Sequence, residues 1–79
     1  MPTIFRFGPY RFFFFSNEGT EPPHVHVESA GNYAKYWINP VKFERSTGFR
    51  PYELTEIRRI IIEHEKMIED KWNEHFGSA

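Results

Sequence analysis

Two histidines and a glutamate alternate with valines in the run Glu21-Pro22-Pro23-His24-Val25-His26-Val27-Glu28. Along an extended strand, alternate side chains share a face. His24, His26 and Glu28 therefore project one way, and Val25 and Val27 the other. Cβ atoms two residues apart lie ~6.5–7 Å from each other, given the ~3.3 Å rise per residue. Two imidazoles at that spacing can converge on one divalent metal ion, or flank a phosphodiester as general acid and base. Histidine suits both tasks because its ordinary pKa is about 6.5. Arg11 is set among aromatics and is the cation best suited to hold a phosphate bidentately. The catalytic candidates are thus His24, His26 and Arg11, with Glu21 and Glu28 as supporting carboxylates.

A plainer alternative stands beside each of these roles. A His-x-His pair is short and arises often by chance. Either imidazole can simply bond a nearby carbonyl or tyrosine hydroxyl. Arg11 can bridge Glu18, Glu21 or Glu28 as a surface ion pair of small value. Arg6 and Lys35 have no motif support and read as surface cations. Tyr33, Tyr36 and Trp37 could stack bases, but on an antiparallel strand such residues usually serve core and cross-strand packing. A metal at His24 and His26 needs a third ligand, for which Glu21, Glu28, His64 or His75 is available. His64 and His75 fall ~16 Å apart along a helix and cannot share an ion. The chain has no cysteine, so thiolate catalysis and Cys-ligated zinc are excluded. It shows no Gly-rich phosphate loop and no nucleophile elbow. No cofactor is expected beyond that optional divalent metal.

The elements that must position these residues divide near residue 50. Thr3 to Phe7 and Tyr10 to Phe15 read as a hairpin about the turn Gly8-Pro9. Ser16 to Gly19 is the next turn signal. Pro22-Pro23 keeps the chain extended ahead of a third strand, His24 to Ser29. Ala30-Gly31-Asn32 turns it into a fourth, Tyr33 to Ile38. Residues 41–49 are ambiguous between strand, helical turn and loop. Pro51 suits the first position of a helix and Glu53 suits its first turn. That helix is predicted over about residues 52–75. Leu54, Ile57, Ile61, His64, Ile68, Trp72 and His75 line one face, and Ile60 and Met67 widen the apolar arc. The expected fold is α+β. A small antiparallel sheet of three to four strands (residues 3–38) packs against one long C-terminal helix, within a single domain spanning 1–79.

Thirteen of fifteen aromatic residues precede residue 53. Phe12 to Phe15 loads both faces of one strand, whereas one helix covers one face. Phe13 and Phe15, with Ile60 and Met67, are therefore candidates for an interface with a second subunit or a partner; the alternative is a curled sheet that buries both faces at the hairpin. A helix of ~36 Å would also overhang a globule of roughly 30 Å. A domain of this size has a thin stability margin and gains from such an interface. The net charge of −1 hides +2 over residues 1–51 and −3 over 52–79. Neither half is a polycation, which speaks against a broad grip on nucleic acid while leaving room for one phosphate. No apolar run approaches the ~20 residues that span a bilayer, and no signal-peptide layout opens the chain, so an intracellular, non-membrane protein is expected.

Three stretches together resemble one bacterial family. They are Met1-Pro2-Thr3-Ile4 with Arg6 to Phe14, then Asn17-Glu18-Gly19 with Glu21 to Val27, and finally Trp72-Asn73-Glu74 before Phe76. The family is "domain of unknown function 4160". The Glu-Pro-Pro-His-x-His-Val run is the specific part. The resemblance implies a small cytoplasmic protein paired with a "domain of unknown function 2442" protein, as toxin and antitoxin of a type II system. It places the family's motif histidines at His24 and His26. Three functions follow as expectations. The first is a toxin acting on RNA or a nucleotide through the His-x-His face. The second is a non-enzymatic interaction module, either a homodimer or bound to a cognate small antitoxin-like protein, with structural histidines. The third is a small metal-binding protein.

Overall fold

The computed structural model describes residues 3–16 and 19–77. Asn17 and Glu18, and with them part of the second turn and the Arg11–Glu18 alternative, lie outside these. Five strands run in chain order: β1 (Thr3–Phe7), β2 (Tyr10–Phe13), β3 (His24–Ser29), β4 (Asn32–Trp37) and β5 (Lys42–Thr47). They form one antiparallel meander in the order β1-β2-β3-β4-β5. Two helices follow, α1 (Pro51–Glu63) and α2 (Glu65–Phe76). The α+β class agrees with expectation; the sheet has five strands rather than three to four, and the helix is two rather than one.

The turns follow their chemistry. Gly8 takes φ 57°, and the β3–β4 turn places Ala30 at 50° and Gly31 at 82°. Gly and, less readily, other residues accept this left-handed region, which two-residue hairpin loops require. Gly48 takes φ 93°, where a side chain is strained, and a methyl there would also displace the Asn32 side chain. Pro51 opens α1, and the Glu53 carboxylate accepts the Arg50 backbone N–H at 2.8 Å.

Phe12, Phe14, Val25, Val27, Ala34, Tyr36 and Ile38 form the helix-facing core with Ile57, Ile60, Ile61, Ile68 and Trp72. Phe5 stacks on Phe12 at 4.5 Å, and Phe14 meets the Trp72 edge at 5.2 Å. The Tyr36 hydroxyl donates to the Leu54 carbonyl at 3.0 Å, tying β4 to α1. The ladder of β2 ends at Phe13, not Phe15. The alternation nevertheless continues beyond it, with Phe14 on Trp72 and Phe15 on His26.

The helix breaks at His64, which has φ −113° and ψ 13°. Its Nδ1–H donates to the Ile60 carbonyl at 2.8 Å, and its ring packs on Phe5 at 4.9 Å and Phe7 at 5.8 Å. A side chain bonding into the ladder is a recognised cause of kinks. The break divides the predicted single helix into α1 and α2. Both halves bury residues: Ile57, Ile60 and Ile61 from α1, Ile68 and Trp72 from α2. Ile60, expected at an interface, is 1% exposed inside its own chain, and Met67 is half-buried.

Candidate functional site

Strand β3 pairs with β2 on one side and β4 on the other, which fixes the neighbours of each histidine. His26 lies between Phe13 and Lys35, and Glu28 between Arg11 and Tyr33; His24 pairs with Trp37. Val25 and Val27 enter the core, and His24, His26 and Glu28 take the opposite face, as the alternation requires. The two imidazoles do meet, with centroids 5.0 Å apart and planes perpendicular.

They meet inside the protein. His24 is 0% exposed and His26 1%. His24 Nδ1 lies 2.9 Å from the Pro22 carbonyl, which can only accept, so that nitrogen holds the proton. Pro22 thereby fixes the tautomer of His24. His26 Nδ1 and the Tyr33 hydroxyl share a 2.6 Å hydrogen bond. Rings enclose both imidazoles. Phe15 packs on His26 at 4.5 Å and Phe13 at 5.4 Å, while Trp72 packs on His24 at 4.9 Å and Trp37 at 5.4 Å.

The carboxylates and cations complete this layer. Glu21 accepts from Lys35 Nζ at 2.9 Å and stands 3.8 Å from His24 Nδ1. Lys35, only 7% exposed, also lies over the Trp37 ring at 4.6 Å. Arg11 spreads over Phe13 at 4.5 Å, donates Nη1–H to Glu28 at 2.7 Å and Nε–H to Thr3 Oγ1 at 2.8 Å. Phe13 is consequently 2% exposed. Guanidinium, imidazole and Phe15 cover it within one chain, in keeping with the alternative in which the sheet buries both faces at the hairpin. Phe15 itself is half-buried.

Arg11 is therefore directed away from the imidazoles. It lines a concavity of about 300 Å³ with Arg6, Glu28 and the turn Ser29-Ala30-Gly31, and neither histidine reaches that concavity. Two further cavities, one beside His75 and one beside Trp37, also exclude His24 and His26. Among the described residues, no three His, Asp or Glu side chains are grouped to hold a metal ion. Tyr33 and Trp37 share the histidine face, whereas Tyr36 is buried on the other.

Two features had no signal in the residue pattern. Lys35 read as a surface cation but is buried by its carboxylate and its tryptophan. Tyr10 lies against Glu56, and burial, followed by that carboxylate, pushes its phenol up to about 12.

A family model described as Domain of unknown function (DUF4160) matches residues 10–73, from β2 through most of α2. Comparison with curated proteins and with solved structures gives no match.

Proposed function

The chain belongs to the family described as domain of unknown function (DUF4160), and from that premise we propose that it is a non-enzymatic protein-binding module. One observation carries this reading. His24 and His26 are sealed into the sheet's second face and bonded to Pro22 and Tyr33. General acid–base work and metal binding both need an imidazole nitrogen within reach of a substrate or an ion. These imidazoles instead cement an aromatic layer on the sheet's second face, which Trp72 of α2 helps to close beside His24. The motif keeps its importance, but as architecture.

What remains outward suits a partner. Phe7 is 43% exposed, Phe43 45%, Ile62 44% and Tyr52 70%. Strands β1 and β5 are the sheet edges, and Phe7 and Phe43 belong to them. Edge strands with apolar side chains are templates for pairing with another chain. The partner is a small cognate protein of the kind that a toxin–antitoxin pair implies, with a second copy as the alternative. Co-purification with the protein encoded beside it, followed by light scattering, tests the reading. A complex that Phe7→Ser and Phe43→Ser weaken supports it. A monomer at all concentrations, with no complex, removes it.

A further inference from the structure

Helix α1 carries an apolar strip on its side toward β4 and β5, with one cation at the middle. Leu54, Arg58 and Ile62 follow at four-residue spacing, each one turn from the next. The Leu54 carbonyl accepts from the Tyr36 hydroxyl at 3.0 Å, and the Tyr36 ring meets exposed Phe43 of β5 at 5.5 Å. Burial raises the Tyr36 phenol and the Arg58 charge lowers it in part, so the guanidinium stands near the same ring. Two exposed apolar residues, Phe43 and Ile62, thus border Arg58. Arg58 has no counter-charge there. The positions one turn away on α1 hold Leu54, Thr55, Ile61 and Ile62, none of them acidic. Among the described residues Arg58 forms no ion pair, whereas Arg11, Lys35, Arg59, Lys66 and Lys71 each meet a carboxylate. Glu65, two turns on, is taken up by the Asn39 backbone N–H at 2.8 Å, and Glu44 of β5 by the Trp37 indole N–H at 2.9 Å.

We propose that this strip seats the partner protein, and that the partner presents a carboxylate to Arg58 among apolar side chains; this rests on the protein-binding function proposed above and adds the surface and the chemistry. A guanidinium without counter-charge among apolar groups is matched by a carboxylate, which it holds bidentately. Charge decides against a second copy as the occupant. A two-fold contact that buried the whole strip would set Arg58, at its midpoint, against its own copy, and like charges so juxtaposed repel. Charge number decides against RNA. A phosphodiester backbone is held by several cations on one surface, and this strip offers one, among Leu54, Ile62 and Phe43. The occupant is therefore a segment of a different protein, an apolar ridge interrupted by Asp or Glu.

The test is calorimetric titration of the full chain with the protein encoded beside it, comparing the unaltered chain with Arg58→Glu, Arg58→Gln and Arg6→Glu. Arg6 is an exposed arginine on the opposite edge strand and serves as the charge control. Arg58→Glu should weaken the complex about thirtyfold or more, Arg58→Gln about tenfold, and Arg6→Glu less than about threefold. Changing the facing Asp or Glu of the partner to Arg should restore binding to Arg58→Glu. Circular dichroism checks the fold of each variant, and Arg58→Gln keeps the test decisive if the charge reversal unfolds the chain. A complex that Arg58→Glu and Arg58→Gln leave unchanged overturns this proposal while the protein-binding function stands. A homodimer, or a complex with a single-stranded oligonucleotide, that Arg58→Glu abolishes also overturns it, because the strip then has a different occupant. Absence of any complex removes both the proposal and the function on which it rests.

Discussion

Replacing His26 by alanine separates an architectural imidazole from a chemical one. The ring touches Phe13, Phe15, His24 and Tyr33, and its Nδ1 bonds the Tyr33 hydroxyl. Truncating a fully buried aromatic costs ~3–5 kcal/mol, and imidazole is smaller than phenyl. Losing one neutral hydrogen bond adds about 1 kcal/mol. The expected cost is therefore about 3–4 kcal/mol. A chain of 79 residues has ~4–12 kcal/mol in total, so this is a large share. The melting temperature should fall by roughly 12–30 °C. The assay is urea unfolding followed by tryptophan fluorescence, because Trp37 and Trp72 both contact His24. His26→Gln restores part of the volume and a donor, and should recover at least about 1 kcal/mol of the loss. Tyr33→Phe should cost less in the His26→Ala background than in the unaltered protein, as their coupling demands. A change below about 0.5 kcal/mol for His26→Ala is what surface sites show, and it would refute the reasoning.

Other consequences concern pH and backbone. Tyr10 has its phenol raised to about 12 by burial and by Glu56. The folded form holds the proton more tightly than the unfolded form, so its stabilisation is complete below pH 10. It is lost as pH rises through about 12, at a cost of roughly 3 kcal/mol at most. Alkaline unfolding monitored by circular dichroism should show this, and Tyr10→Phe should flatten the dependence. Gly48→Ala places a methyl on the Asn32 side chain at φ 93°, and should destabilise by about 2 kcal/mol or more in thermal melts.

Much of the framework is readable from local chemistry. Gly8-Pro9 and Ala30-Gly31 mark their turns, Pro51 with Glu53 marks the helix start, and the Val25/Val27 alternation orients the histidines. Strand β5 escapes because Lys42 to Thr47 is a mostly exposed edge, with charges rather than an apolar face. The helix break escapes for a different reason. Ile57, Ile61, Ile68 and Trp72 keep their spacing across it, while the cause is a side-chain bond from His64 to Ile60. The largest difference concerns the second face of the sheet. Alternation says that His26 turns away from the core, and polar residues so placed normally meet solvent. Burial there depends on long side chains lying over the ring two residues further along their own strand, Arg11 over Phe13 and Lys35 over Trp37, and on Glu21 beside both Lys35 and His24. The same-strand contacts follow from spacing, but Glu28 opposite Arg11 and Phe13 opposite His26 rest on register, and Glu21 beside Lys35 rests on the path of residues 21–23, which residue spacing alone does not encode. The same register turns Arg11 toward Glu28 and Arg6, so the catalytic trio expected from the sequence becomes two separate places.

The central claim is that His24 and His26 are sealed structural groups. Carbethoxylation of the native protein, read residue by residue by mass spectrometry, tests it most directly, because the reagent needs an accessible imidazole nitrogen. His75 is exposed and serves as the internal standard. The account predicts that His75 is modified first, and that His24 and His26 react slower by roughly a thousandfold, through opening of the fold. Modification of His24 and His26 at the rate of His75, in protein that keeps its native circular dichroism, would contradict it.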